Sequence, residues 1–264
     1  MLRSKLILKI AGVNDESIKL CAVVEMIHAA SLLHDDVIDD SDTRRGQASV
    51  NALYDNKTAI MFGDILYSKA FTELTQMDKR IAYKIANAVT LLSVGELLDV
   101  ELTKTFNKSY AKYLDMIYKK TASLIEASAA SAAILAGLDE KKYALYGKNL
   151  GLAFQMIDDI LDITQDSITL GKPAMLDFVE GKVTIPYLLL HERIEDKSRL
   201  ELLYKKELSS DEAAWIKIQM SETQTLNDSI AQAKKLGFEA INSVKDENNE
   251  SLVQIMKVMI EREF

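Results

Sequence analysis

The sequence predicts an all-α protein, and three observations carry that expectation. Only 2 prolines and 10 glycines occur in 264 residues, too few turn formers for a β-sandwich or barrel. Apolar residues return at three-and-four spacing along nearly the whole chain, as in Leu20, Val23, Val24, Ile27 and Ser31, or Ile81, Ile85, Ala88, Val89 and Leu92. No low-complexity linker interrupts the pattern, so the length suits a single domain over 1–264.

Taken in order, the spacing predicts helices at roughly 17–40, 58–75, 79–103, 109–136, 140–165, 184–192, 198–206, 210–219, 222–245 and 248–262. Thr184 followed by Pro186 is the cap-and-first-turn signal that opens the helix at 184. Loops are expected at Ser41–Ala48, at Thr169–Lys182 and around Glu207–Ser210. Residues 122–136 are dominated by Ala and Ser, which lets helix backbones approach closely in a tight core.

The formal net charge is −8, so no global basic field attracts nucleic acid. Part of the acidity is local: Asp35, Asp36, Asp39, Asp40 and Asp42 fall in one short run. Cys21 is the single cysteine and forms no internal disulfide, which suits a reducing compartment. The chain has no uninterrupted apolar run of transmembrane length and no signal-peptide pattern at its start, so a cytoplasmic protein without a transmembrane segment is expected.

One acidic pattern occurs twice. The first copy is Leu33-His34-Asp35-Asp36-Val37-Ile38-Asp39-Asp40; the second is Met156-Ile157-Asp158-Asp159-Ile160-Leu161-Asp162. On a helix, positions i and i+4 share a face, so Asp35 stacks with Asp39 and Asp158 with Asp162, while Asp36 and Asp159 sit one step round. Asp is a poor helix-interior residue and like charges at this spacing repel. Hard cations with oxygen ligands would offset that cost. A single cluster is as well explained by a solvated acidic face; two copies in matching apolar context point to metal. Carboxylates from two helices suit Mg²⁺ held together with substrate phosphates. An EF-hand is excluded by the missing central glycine and closing glutamate. A di-iron carboxylate bundle needs two Glu-x-x-His motifs, and only Glu25-Met26-Ile27-His28 has that form.

Basic residues follow the acids. Asp42-Thr43-Arg44-Arg45-Gly46 either balances charge or grips phosphate through the arginine forks. Lys120-Thr121, Lys172 and Lys182 are further phosphate candidates, the last two in the loop after the second cluster.

These runs resemble the trans-isoprenyl diphosphate synthases, or polyprenyl synthetases. The matching segments are Leu32–Gly46, Lys120-Thr121-Ala122, Gly151–Asp162 and Gly181-Lys182-Val183-Thr184-Ile185-Pro186, in the family's order and spacing. The character is that of the long-chain octaprenyl type. The resemblance implies a bundle of antiparallel helices around a deep central cavity, as a homodimer. It implies two or three Mg²⁺ ions held by Asp35, Asp36 and Asp39 with Asp158, Asp159 and Asp162. Arg44, Lys120, Thr121, Gln155, Lys172 and Lys182 are implied contacts of the allylic diphosphate, and Arg3, His28 and Arg45 of isopentenyl diphosphate. The catalytic set is then Asp35, Asp36, Asp39, Asp158, Asp159 and Lys120. The product is a long-chain all-trans polyprenyl diphosphate, delivered to membrane enzymes. Short-chain members commonly carry an aromatic residue where Ala30 stands, so Ala30 and Ser31 are the implied chain-length positions. The family's Gly-Gly-Lys segment ahead of Arg3 has no counterpart here, so either part of the natural N-terminus is missing or the copy is defective; the first is expected, because every later motif is intact. A class I terpene cyclase usually mixes Asn, Ser or Thr with Glu in its second motif; a squalene-type synthase lacks the Lys172–Pro186 loop; a non-catalytic partner subunit tends to lose aspartates.

Overall fold

The described residues of this computed structural model, 2–44, 46–164 and 175–260, are almost entirely helical. In chain order they form α1 (Leu2–Ala11), α2 (Asp15–Ile38), the two-residue strands β1 (Thr43–Arg44) and β2 (Gln47–Ala48), α3 (Val50–Leu53), α4 (Asn56–Leu74) and α5 (Lys79–Leu102). Then come α6 (Tyr110–Ile117), a π-helical turn (Tyr118–Ala122), α7 (Ser123–Ala136), α8 (Glu140–Thr164), α9 (Leu176–Val179) and α10 (Ile185–Arg193). The chain ends in α11 (Lys197–Leu203), α12 (Ser210–Glu222), α13 (Thr225–Ser243), a 3₁₀ turn (Lys245–Glu247) and α14 (Glu250–Ile260). Two units divide the contacts: Met1–Leu91 with Ser123–Gly147, and Leu92–Ala122 with Lys148–Phe264.

In the first unit α2 is the central element, packed on α1, α4 and α7. Its start is specified locally. The Asn14 side chain accepts from Ser17 N at 2.9 Å while Ser17 Oγ accepts from Asn14 N at 3.0 Å, a reciprocal cap. Asp15 and Glu16 lie in the first turn, where they complement the helix dipole. Leu20, Val23, Val24, Ile27 and Ala30 are completely buried. Each large member of that stripe contributes about 1.5–3 kcal/mol. That outweighs the few tenths of a kcal/mol that each aspartate pair costs the helix. Nearly all of the Ala/Ser-rich α7 from Ser123 to Ala133 is buried, and a Cβ at Gly147 of α8 would stand 2.8 Å from Glu126 Cα, so the small residues do serve close packing.

The second unit has its core around Phe178 of α9. The Phe178 ring stacks on Tyr187 at 4.3 Å between centroids and meets Phe106 and Tyr204 edge-on at 6.3 and 5.9 Å. Tyr204 Oη lies 2.8 Å from the Gly181 carbonyl and 2.9 Å from that of Thr103, tying the Gly181-Lys182 turn to the segment after α5.

Several boundaries depart from the sequence expectation. Helix α1 was not expected; Leu6, Ile7 and Ile10 are buried and Gly12 closes it at φ 71, but less than three turns of pattern carry it. Helix α2 stops at Ile38 rather than 40, because Asp40 adopts a left-handed φ of 48 and Ser41 N returns to the Asp36 carbonyl at 2.9 Å. The Ser41–Ala48 loop contains the β1–β2 hairpin, with Gly46 at φ 75 in its turn. The helix expected over 109–136 is broken by the π turn. The described part of the Thr169–Lys182 loop contains α9.

Helices α2 and α5 are each long and apolar enough to cross a membrane, although neither holds an uninterrupted apolar run. Of each apolar window 39% and 33% is buried against the rest of the chain.

Candidate active site

In the first unit the end of α2 presents Asp35 half-buried, Asp36 buried at 3% exposure and Asp39 exposed at the C-cap. The Asp39 N–H still donates to the Asp35 carbonyl at 2.8 Å, so the i, i+4 relation survives past the last helical residue. The hairpin folds back so that Arg44 donates Nε to Asp36 Oδ1 at 2.7 Å, with Nη2 at 2.6 Å from the same oxygen. Ser49 Oγ and Asn51 Nδ2 donate to the Ser41 carbonyl at 2.7 and 3.1 Å and hold the hairpin on the helix end. Asp36 and Arg44, assigned to metal and phosphate by the sequence, are thus brought together.

Elsewhere in that unit Arg3 is half-buried on α1 beside Glu25, which also accepts from Ser4 Oγ. Burial pulls the Arg3 guanidinium down to about 10, partly offset by Glu25. His28 lies one turn beyond Glu25, and its carbonyl accepts from Ser31 Oγ at 2.9 Å. Ala30 and Ser31 are both buried. Arg45 lies outside the described residues.

The second unit gathers more of the expected residues. The π turn delivers Lys120 and Thr121, and glycines seat it on two sides. A Cβ at Gly95 would stand 2.3 Å from Lys120 N, and one at Gly151 would stand 2.5 Å from Ala122 Cα. Both obstacles are backbone. Gly151→Ala should therefore destabilise the protein by about 1–3 kcal/mol by overpacking, despite a gain of roughly 1 kcal/mol in helix propensity. Thermal denaturation checks this; an unchanged melting temperature would mean the turn shifts freely.

From that turn a hydrogen-bonded chain runs to the second cluster. Thr121 Oγ1 donates to Gln155 Oε1 at 2.9 Å, Gln155 Nε2 donates to Asp159 Oδ1 at 2.9 Å, and Tyr113 Oη donates to Asp159 Oδ2 at 2.5 Å. Asp159 and Asp162 are buried at 4% and 2% exposure, while Asp158 is exposed. Burial, and next the charge of Asp177, push the Asp159 carboxyl well above the usual range. Burial raises Tyr113 likewise. Asp162 closes the group: Asp177 N donates to its Oδ2 at 3.2 Å and Met175 N to its carbonyl at 2.8 Å.

Asp177 and Tyr113 are functional candidates that the sequence reading missed. Asp177 falls in a segment read as loop, and no periodicity links it to a cluster fifteen residues upstream. Tyr113 reads as an ordinary apolar-face residue of α6. Lys182 lies on the turn closed by its own N–H to the Asp177 carbonyl at 2.7 Å, but its ammonium pairs with Glu180 at 2.8 Å. Lys172 lies outside the described residues.

Among the described residues, no three His, Cys, Asp or Glu side chains converge closely enough to hold a metal ion by themselves. The donor chemistry nevertheless fits a hard cation: the groups are all oxygen, and Asp159 meets the neutral donors Tyr113 and Gln155 with the carboxylate of Asp177 nearby. Sparse protein ligation is the mode in which Mg²⁺ keeps waters and substrate phosphates in its shell.

Residues 1–220 match the polyprenyl synthetase family. An octaprenyl diphosphate synthase of Haemophilus influenzae is 34% identical over 271 residues, 95% of this chain and 79% of that one. The crystal structure of octaprenyl pyrophosphate synthase from Helicobacter pylori superposes with a TM-score of 0.93 at 43% identity, covering 98% of this chain and 88% of its own. The polyprenyl synthase of Caulobacter crescentus, solved with calcium and isoprenyl diphosphate, gives a TM-score of 0.88 at 31% identity, covering 98% and 83%. The fold is the all-α isoprenoid synthase fold. The chain belongs to the polyprenyl synthetase family.

Proposed function

We propose that this chain is a Mg²⁺-dependent trans-polyprenyl diphosphate synthase. It joins isopentenyl diphosphate head to tail to an allylic prenyl diphosphate, releases diphosphate, and repeats to a long-chain product of octaprenyl type. The observation that carries the reading is the Thr121–Gln155–Asp159–Tyr113 chain, which couples a phosphate-gripping segment to an acidic cluster.

Asp35, Asp36 and Asp39 with Asp158, Asp159 and Asp162 would hold the two or three Mg²⁺ ions. When bound, Mg²⁺ supplies positive charge against which diphosphate leaves. The chain's own groups do the rest. Thr121 donates into the Gln155 carbonyl and so turns its amide N–H₂ toward Asp159. Tyr113 fixes the other carboxylate oxygen, leaving Asp159 one orientation. Lys120, with Arg44, Lys172 and Lys182, grips the diphosphate oxygens as charge develops on them. The allylic C–O bond breaks, the isopentenyl double bond attacks the allylic carbon, and a proton leaves the new C–C unit for the departing diphosphate. No protein base is required. Arg3, His28 and Arg45 bind isopentenyl diphosphate.

A homodimer is part of the proposal. Its support is the apolar exposure on α4, where Ile60, Met61, Phe62 and Ile65 are 40%, 53%, 47% and 60% exposed.

Incubation with isopentenyl and farnesyl diphosphates and Mg²⁺, with chromatography of the products, tests the reading. Diphosphate release with prenyl diphosphates longer than farnesyl is the expected result. Cyclic hydrocarbons, farnesol alone or no conversion would overturn it.

A further inference from the structure

Helix α5 carries two buried acids that the reading above does not use. Glu96 and Asp99 are 7% and 6% exposed, stand one turn apart on one face, and both reach the Lys120 ammonium. Asp99 Oδ2 accepts from Nζ at 2.6 Å and Glu96 Oε1 at 3.0 Å. Glu96 Oε2 lies at 2.9 Å, in ion-pair contact without hydrogen-bond geometry. The residue before Glu96 is Gly95, against which the Lys120 backbone rests. One turn of α5 therefore meets both the main chain and the ammonium of Lys120.

We propose that Glu96 and Asp99 are positioning residues that hold the Lys120 ammonium at a fixed point for the substrate diphosphate. The proposal rests on the reading of Lys120 as a diphosphate contact.

Stability alone does not account for the arrangement. One carboxylate neutralises one ammonium; a second adds a buried negative charge whose desolvation the same ammonium does not return. A lysine is otherwise a point charge on a flexible four-carbon stem. Two anchors on one rigid helix face remove that freedom, and a seat without a Cβ fixes the root of the stem. An ammonium so held is ordered before the ligand arrives, which favours the step in which charge grows on the leaving group. The π turn fits the same purpose: its extra residue displaces Lys120 and Thr121 from the regular helical path, so that the lysine meets α5 while the threonine meets Gln155 of α8.

The test is a set of variants in the full chain: Asp99→Ala, Asp99→Asn, Glu96→Gln, Lys120→Met, and Asp99→Ala combined with Lys120→Met. Asp99→Ala should lower kcat by about 10²-fold, the scale of a reacting group displaced by an ångström, with the KM for isopentenyl diphosphate unchanged. Asp99→Asn, which keeps the shape and a neutral acceptor, should retain part of the lost rate and carries the comparison if the alanine variant does not fold. On the Lys120→Met background Asp99→Ala should change kcat by less than about 2-fold, because residues acting as one unit are not additive. A variant at Asp99 that keeps wild-type kcat, or the same factor lost on both backgrounds, would overturn the proposal. A wild type that yields no prenyl product would instead overturn the synthase reading. Titration of inorganic diphosphate with Mg²⁺ then decides the positioning separately: weaker binding to Asp99→Ala than to wild type upholds it, and equal binding removes it.

Discussion

Asp35→Ala and Asp158→Ala should each abolish turnover, by more than about 10³-fold in kcat, while leaving the metal-free protein folded. The rate loss follows from the role proposed for these acids: charge stabilisation of several kcal/mol on a departing diphosphate corresponds to three or more powers of ten. The stability side follows from their surroundings. Asp35 is half-buried and Asp158 exposed, so alanine opens no large cavity at either position. Their neighbours behave differently. Asp36→Ala would take the partner from the half-exposed Arg44, and Asp159→Ala would leave Tyr113 Oη and Gln155 Nε2 without their acceptor; the unmet Tyr113 hydroxyl, fully buried, costs about 1–3 kcal/mol. Activity assays with melting curves, recorded with and without Mg²⁺ and inorganic diphosphate, separate the two effects. Asp35→Ala and Asp158→Ala should also lose the rise in melting temperature that metal and diphosphate give the parent. Wild-type-like turnover in either variant would remove it from the metal ligands.

The all-α class was legible because its signals are redundant. Few turn formers, three-and-four spacing and a buried stripe on α2 all say the same thing. The aspartate clusters were legible because they break that agreement: a charge inside an apolar helix is a local cost with no local return. What escaped the sequence has a physical reason in each case. The π turn at Tyr118–Ala122 leaves no mark on hydrophobic period, since the apolar residues on either side resume helical spacing. Gly95 and Gly151, far away in sequence, admit its backbone from two sides. Asp177 lies on the single turn of α9, too short to show a period. Glu96 and Asp99 look like surface acids on α5 until Lys120 is placed against them.

Product length gives the other large effect. Ala30 lies five residues before Asp35 and Ser31 four, so both fall on nearly the face that leads up to the acids proposed to bind metal. In the structure both are buried, and the Ser31 hydroxyl turns back to the His28 carbonyl at 2.9 Å, leaving a small, self-satisfied surface. If the growing prenyl tail passes along this face, an aromatic ring at Ala30 closes its way. Ala30→Phe should then accept farnesyl diphosphate, release diphosphate and stop after very few additions, whereas the parent continues toward octaprenyl lengths. The rival account is that Ala30 only allows α2 to pack closely on its neighbours. That account predicts a loss of about 1–3 kcal/mol from overpacking with product length unchanged in whatever folded enzyme remains. Product chromatography on enzyme first checked by its melting curve distinguishes them, and Ala30→Val gives a graded intermediate. Short products from a folded Ala30→Phe enzyme would support the tail's passing Ala30. Products as long as the parent's from the same folded variant would place the tail elsewhere and end this reading of chain length.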